Sequence, residues 1–353
     1  MSPSRSRLPG PLPTRLALLA APALALVAGV AACSSGPTGF GTGSGSPSQL
    51  QNQYVATVHR VLQSVVQIST GTSTGSGVVY DSKGDVVTNA HVVGTATTVR
   101  VREPVGTKQM NATVIGTFTP DDLAVVRVQG NTGSLKPATF GNSSDVQVGQ
   151  IVLAMGNPLG LIDSVTQGIV SATGRTVGEG SGSNALITAA IQTSAAINPG
   201  NSGGALVNLN DQVIGIPTLA ARLPDQGGAA PGIGFAIPSA TVQNIAGQLI
   251  KYGKVTKSDR AALGITAQDA ASGSGQLDGV AIISVSSGGA AARAGIKAGD
   301  VIVGLNQARI TRLEELQTTL AQYPPGTTVT VHYVRDGAST PSTATVTLGS
   351  LSG

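Results

Sequence analysis

NPGNSGGALVN, residues 198–208, places five small or flexible residues, Gly200 to Gly204, directly before an apolar run. A serine framed by glycines can be a plain turn. It can also be a nucleophile on a backbone bent to aim amide N–H groups at one point. A serine hydroxyl is a poor nucleophile at neutral pH. It needs an imidazole to take its proton and a carboxylate to fix the imidazole's tautomer. The reading of this stretch therefore depends on which histidines and acids accompany it, and in what order.

The chain holds three histidines, His59, His91 and His332. His59 lies in QLQNQYVATVHRVLQSVV, where Tyr54, Val58, Val61, Leu62 and Val65 recur at helical spacing. His332 alternates with Val331 and Tyr333 in a late β-branched run. Both read as structural or solvated residues. His91 follows VVTNA and precedes VV, at a bend between apolar runs, and is the candidate base. TPDDLAVVRV (119–128) offers Asp121 and Asp122. Asp122 adjoins the apolar strand directly and is the better candidate. The alternative for either acid is a turn-forming role after Pro120.

The order is then His91, Asp122, Ser202. Gly200, Ser202 and Gly204 also satisfy Gly-x-Ser-x-Gly, the mark of an α/β-hydrolase elbow, whose triad runs serine, acid, histidine. Only His332 follows Ser202, and no parallel βαβ pattern surrounds the serine. The same loose pattern recurs around Ser73. The order matches a chymotrypsin-like double β-barrel and disfavours an esterase. The loop Gly200, Asn201, Ser202 is assigned to an oxyanion hole, with the N–H groups of Gly200 and Ser202 aimed into one cavity. Losing one such donor typically costs about 2.7–4 kcal/mol of transition-state stabilisation. Trypsin carries an acid at the base of its specificity pocket, six positions before the nucleophile. Here that position is Ala196. Ile197 and the segment GIPT (215–218), with Gly215 and Ile216 foremost, complete an expected apolar pocket, suited to small or medium aliphatic residues.

The bulk numbers agree with a β-rich enzyme. A length of 353 residues suggests two domains at roughly 150 residues each. Hydrophobic residues make up 41%, enough for real cores, whereas charged residues are 11% and there are 48 glycines. That balance points to turns and strands rather than charged helices. From about residue 65 to 238, β-branched runs alternate with Gly/Asn/Asp/Pro turns at roughly 8–12-residue spacing, which predicts a sandwich or barrel. A helix is expected over 239–252, with Ser239 as N-cap and Gly253 at its stop. Residues 262–349 change texture and read as a smaller α+β module.

Three of the 21 basic residues, Arg5, Arg7 and Arg15, lie in the first 32 positions, which contain no acid. The other 18 face 17 acidic residues, with no basic run, so nucleic-acid binding is not expected. One cysteine and no His-Glu-x-x-His leave no zinc ligand set, and no cofactor is expected. The N-terminus reads as an export signal: three arginines, then LALLAAPALALVAGVAA, then small residues. Cys33 in VAACSSG resembles the bacterial lipobox, with Val30 in place of the usual leucine. An ordinary signal before an incidental thiol, and an uncleaved membrane helix, are the alternatives. Residues 33–48 are Gly/Ser/Pro-rich and read as a tether.

Together VVTNAHVV, DLAVVRV, AMGNPLG, QGIVSATGR, AAINPGNSGGALVN and GIGFAIP resemble the bacterial HtrA (Deg) serine proteases, over about residues 50 to 350. The later module resembles a PDZ domain, with Leu263, Gly264 and Ile265 matching its carboxylate-binding loop. The resemblance implies peptide-bond hydrolysis, a trypsin-like fold, no cofactor, binding of peptide C-termini, and a homotrimer. It implies a sensor loop over 175–190, with Arg175 relaying its state to the oxyanion loop. The expected layout is a signal peptide over 1–32, the tether, a protease domain over 49–253 and a PDZ domain over 254–353. The expected location is the outer face of the cell membrane, held by lipid on Cys33. Three positions depart from the family: Ser194 stands where an aspartate is common, Leu159 where an aromatic is frequent, and Gln307 where a glycine is usual. The runner-up reading is a proteolytically silent, PDZ-containing binding lipoprotein.

Overall fold

The computed structural model describes residues 47–104, 108–157, 164–178, 185–198, 200–222, 229–271, 277–335, 338 and 340–353. The expected signal peptide, Cys33, Leu159 and most of the tether lie outside these residues.

Helix α1 (Pro47–Val61) begins inside the stretch read as tether. A proline is tolerated in a first helical turn because no N–H is needed there. Tyr54, Val58, Val61 and Leu62 pack on the main core, as their helical spacing predicts. Six strands follow: β1 (Val65–Ser69), β2 (Thr74–Val79), β3 (Asp85–Thr88), β4 (Thr98–Arg102), β5 (Gln109–Phe118) and β6 (Leu123–Val128). They close into a barrel in the order β1-β2-β3-β6-β5-β4. A single helical turn, α2 (Ala90–Val93), links β3 to β4.

The next seven strands are β7 (Thr139–Phe140), β8 (Ile151–Gly156), β9 (Ser164–Gly178), β10 (Leu186–Thr193), β11 (Ala205–Asn208), β12 (Gln212–Arg222) and β13 (Ala229–Pro238). They form one sheet in the order β11-β8-β9-β10-β13-β12-β7, and β11 also pairs with β12. That extra pairing joins six of the strands into a ring, so the second sheet is also a barrel. Helix α3 (Ser239–Tyr252) follows and ends at Gly253, φ 71°. Ser239 is not the N-cap expected of it. It is the first helical residue, and its hydroxyl donates to the Gly141 carbonyl at 2.7 Å, tying α3 to the second barrel.

Alternation along the strands sorts the apolar side chains into three layers. Val66, Ile68, Val79, Val86, Val126 and Val128 fill the first barrel. Val152, Ala154, Ile191, Leu206 and Ile214 share a second interior. Val65, Val78, Val87, Leu123 and Val125 face the other way, onto Leu153, Met155, Val207 and Ile237 and onto Val242, Ile245 and Leu249 of α3. Strands buried on both faces explain why runs such as LAVVRV of β6 are almost continuously apolar rather than alternating.

The later module has β14 (Ala261–Ala262), β15 (Ile265–Ala271), β16 (Leu277–Val285), α4 (Ala290–Arg293), β17 (Val301–Leu305), β18 (Ala308–Arg309), α5 (Leu313–Leu320), β19 (Thr328–Val334), β20 (Ser342–Thr347) and β21 (Gly349–Ser350). Its main sheet runs β15-β16-β17-β19-β20, with β15 at an edge. It has its own core, including Leu263, Val280, Ile302, Leu316, Val331 and Val346. Gln307 stands where the family usually has glycine, but the left-handed residue of that turn is Asn306, φ 52°. No strain therefore falls on Gln307. No helix among the described residues is long and apolar enough to cross a membrane.

Candidate active site

β3 and β6 are antiparallel neighbours, and Thr88 pairs with Ala124. The residues just after β3 and just before β6 therefore meet at one rim of the first barrel. After β3 the chain turns into α2, which carries His91. Before β6 a single 3-10 turn, Thr119–Asp121, closes on Asp122 in the left-handed conformation, φ 50°. That backbone is uncommon for a non-glycine residue and is held here by its neighbours. The Asp122 carbonyl accepts from the Ala90 N–H and the Asn89 amide, each at 3.0 Å.

The Asp122 carboxylate is 1% exposed. Its Oδ1 accepts from the His91 backbone N–H at 2.9 Å, and its Oδ2 from His91 Nδ1 at 2.8 Å. A carboxylate only accepts, so Nδ1 carries the proton and Nε2 is left with its lone pair. The His91 side chain is 42% exposed, whereas the carboxylate it is bonded to is buried. The sequence offered Asp121 and Asp122 and favoured Asp122, the one that faces His91. Asp121 turns the other way and pairs with Arg260 at 3.1 Å. Burial pushes its carboxyl above the ordinary aspartate range, and Arg260 partly reverses the shift.

Ser202 stands in the loop before β11. Its carbonyl accepts from the Ser76 N–H at 2.9 Å, and Thr88 donates its hydroxyl to the Ser76 carbonyl at 2.7 Å. The loop is thereby pinned to the end of β3 from which His91 follows. A Cβ on Gly75 would meet both Val92, the residue after His91, at 2.7 Å and the Ser202 carbonyl at 3.3 Å. The glycines answer the question raised by this stretch. Gly200 has φ 108°, and a Cβ on Gly203 would lie 2.2 Å from the Ser76 carbonyl oxygen. No other residue fits that approach.

Thr218, on β12, falls in the segment expected to line the pocket, but its contact with Asp122 was not visible from the sequence. Its hydroxyl donates to Asp122 Oδ2, and its carbonyl accepts from the Ser202 hydroxyl at 3.4 Å. One residue therefore touches both ends of the constellation.

The expected oxyanion loop needs one correction. The Asn201 N–H donates to the Asn198 carbonyl at 3.0 Å, and its side-chain amide to the Ala196 carbonyl at 3.2 Å. Asn201 shapes the turn instead of lining the hole. The N–H groups of Gly200 and Ser202 meet no acceptor among the described residues. The pocket also differs from expectation. Ile216 has no exposed surface and packs between the barrels, and Gly215 sits against the Ile237 carbonyl. Ile197 is packed inside the second barrel. Ala196 is exposed. The segment of β12 beside Ser202 is 217–218, because Pro217 accepts from the Gly203 N–H. Of the expected wall 215–218, only the later half therefore lies beside Ser202.

Ser194, in place of the family's aspartate, supports the loop: its hydroxyl accepts from the Ile169 N–H at 3.0 Å. Much of the expected loop 175–190 is strand, since Arg175–Gly178 belong to β9 and Leu186–Ala190 to β10. Arg175 is exposed, on β9 opposite Ala190. In the later module, the carbonyl of Leu263 accepts from Ala291 and that of Gly264 from Ser286. Gly264 has φ 72°, and Ile265 opens the edge strand β15. His59 is exposed on α1, and His332 Nε2 lies 3.0 Å from the Asn306 carbonyl.

Residues 75–216 match the trypsin-like peptidase domain family, and residues 261–348 match the PDZ domain family. The chain is 42% identical over 268 residues to the periplasmic serine endoprotease DegP of Escherichia coli, covering 74% of this chain and 54% of that protein. It is 41% identical over 295 residues to the serine protease Do-like HtrA of Lactococcus lactis, covering 78% of this chain and 70% of that one. The solved serine endoprotease of Yersinia pestis matches with a TM-score of 0.55 at 34% identity, over 84% of this chain and 98% of that chain. The chain thus spans little more than half the length of the Escherichia coli relative.

Thr218→Val keeps the shape of the residue and removes the hydroxyl that faces Asp122. It is expected to slow labelling of Ser202 by a fluorophosphonate about 10-fold, since a hydrogen bond to a charged group contributes roughly 1.5–3 kcal/mol. Stopped-time labelling gels measure the rate, and an unchanged rate would remove Thr218 from the constellation.

Proposed function

Since the chain belongs to the HtrA-type serine proteases, a trypsin-like double barrel followed by a PDZ domain, we propose that it hydrolyses peptide bonds in misfolded or exposed extracytoplasmic polypeptides. Ser202 attacks the scissile carbonyl, and His91 takes its proton through Nε2. Asp122 holds the imidazole in the required tautomer and stabilises the imidazolium. The N–H groups of Gly200 and Ser202 receive the oxyanion. The observation that carries this reading is the buried Asp122 carboxylate bonded to His91 Nδ1, beside the pinned Ser202 loop. Digestion of casein by the wild type, lost in Ser202→Ala with the far-ultraviolet dichroism intact, is the test. The cut sites are expected after alanine, valine or leucine, because Ala196 brings no acid to the pocket. Retained digestion in Ser202→Ala would overturn the assignment, and a silent wild type would favour the binding lipoprotein.

The PDZ module is read as the recognition site for substrate or regulatory C-termini. β15 is an edge strand with α5 beside it, so a peptide can add as a further strand. Its carboxylate would sit on the loop Leu263, Gly264, Ile265. Arg175 is proposed to relay the state of the 175–190 hairpin to the oxyanion loop. A peptide with a free carboxylate and an apolar last residue is then expected to raise turnover of a fluorogenic substrate. A 10-fold gain requires about 1.4 kcal/mol of preference for the competent state. Arg175→Ala is expected to remove the gain and to leave calorimetric peptide affinity unchanged. Unaltered turnover at saturating peptide would mean that the module only recruits substrate.

The enzyme is proposed to be exported by residues 1–32 and anchored by lipid on Cys33, with residues 33–48 as a leash of about 20 Å reach. Lasting attachment requires two acyl chains. A homotrimer is proposed from the family alone. Cys33→Ser is expected to leave the membrane fraction on cell fractionation. Retention there would point to an uncleaved helix.

A further inference from the structure

We propose that Ser76 is a positioning residue that fixes the oxyanion-binding N–H of Ser202, by holding the peptide units on either side of it. This inference rests on the protease reading. Ser76 lies on β2, 126 positions before the nucleophile, and is wholly buried. Its hydroxyl donates to the Gly200 carbonyl at 2.5 Å. The same oxygen accepts from the Asn157 N–H at 2.8 Å, which leaves its single proton directed at Gly200. Its backbone N–H donates to the Ser202 carbonyl at 2.9 Å. One residue therefore grips the loop on both sides of Asn201.

A peptide unit is planar and trans, so fixing its carbonyl fixes the direction of its N–H. The 200–201 unit is held by Ser76 at its carbonyl and by Asn198 at its N–H. The 202–203 unit is held by Ser76 at its carbonyl and by Pro217 at its N–H. The 201–202 unit lies between them, with its carbonyl accepting from Gly204 at 2.9 Å. Its N–H, that of Ser202, is the end left over. Gly200 has no Cβ to hold it at φ 108°, so contacts to its peptide groups must do so. Ser76 makes such a contact with a side chain that a glycine or alanine would lack. Its hydroxyl acts on the reaction only through the loop.

The test compares wild type, Ser76→Ala, Ser76→Cys and Ser239→Ala. Ser239→Ala removes an equivalent buried hydroxyl-to-carbonyl bond at the start of α3. The probes are a fluorogenic peptide with valine at the cut site and the matching peptide boronic acid, which Ser202 converts to a tetrahedral adduct. In Ser76→Ala, kcat is expected to fall about 10- to 100-fold, because small misplacements at a reacting centre reach 10²-fold. KM should stay within about twofold, as expected for an interaction realised only in the transition state. The boronate inhibition constant should rise by the same factor as kcat/KM falls. Ser239→Ala should shift thermal unfolding similarly and leave kcat unchanged. Ser76→Cys keeps a small weak donor and should lose less than Ser76→Ala. If Ser76→Ala does not fold, the Cys variant carries the same comparison. An active wild type with Ser76 variants matching Ser239→Ala, or a loss confined to KM, overturns the inference alone. A wild type inert to substrate and boronate overturns the protease reading and this inference with it.

Discussion

A buried carboxylate at one barrel rim constrains everything around it. Asp122 is nearly sealed from solvent, and an isolated charge in such a place is prohibitively costly. It is accommodated because three donors converge on it: the His91 N–H, His91 Nδ1 and the Thr218 hydroxyl. Two of these donors belong to His91 on α2 and the third to Thr218 on β12. α2 and the 3-10 turn meet because β3 and β6 are paired, and Thr218 arrives on β12 of the second barrel. The two barrels are thus coupled at the carboxylate, and the shared apolar layer between them sets the distance. Displacing either barrel would strip the charge of a partner.

The serine loop obeys a different constraint, one of space. Its backbone runs against β2 and β8 at distances that admit no side chain, as the Gly203 and Gly204 approaches to Ser76 and Met155 show. Close backbone contact allows main-chain groups to be fixed by main-chain and short hydroxyl partners. The result is a loop in which the peptide groups around Ser202 are occupied, apart from the N–H groups of Gly200 and Ser202, which meet no acceptor among the described residues. Main-chain groups fixed this way need little reorganisation when charge develops beside them.

Local patterns carried much of this in the sequence. The order His91, Asp122, Ser202, the glycine frame and the strand spacing sufficed for the double barrel. The choice between Asp121 and Asp122 was only half legible, because the partner of Asp121 is Arg260, 139 positions away. Thr218 was expected only as part of a pocket wall and Ser76 gave no signal, since a threonine or serine in a β-branched run looks like any other until the register is known. Ile216 was misplaced for the same reason. Counting along β12 cannot say which residues face the layer between the barrels. The stretch 175–190 looked like a loop because glycine and serine mark turns. Pairing of Ala190 with Arg175 and of Leu186 with Gly178 nevertheless extends the hairpin, through a bulge at Ala189, φ 55°. Tertiary pairing overrode the composition.

The junction between the two modules follows from the same physics as the carboxylate. Val255, just past α3, is buried in the shared core, so the connection does not leave the protease domain as a free linker. Five residues on, Arg260 donates to the Pro120 carbonyl at 2.6 Å and pairs with buried Asp121. Arg260 is itself fixed from behind, because its carbonyl accepts from the Leu351 N–H at 2.8 Å. Leu351 follows β21, which pairs with β14, and its side chain packs on the shared core. Residues at both ends of the PDZ module are therefore woven into the turn that ends at Asp122. Removing one member of a buried ion pair leaves the other uncompensated, at a cost of about 3–5 kcal/mol. Asp121 therefore binds the first turn of the PDZ module to the residue beside the site, and the geometry of Asp122 depends on residues that no local motif would assign to it.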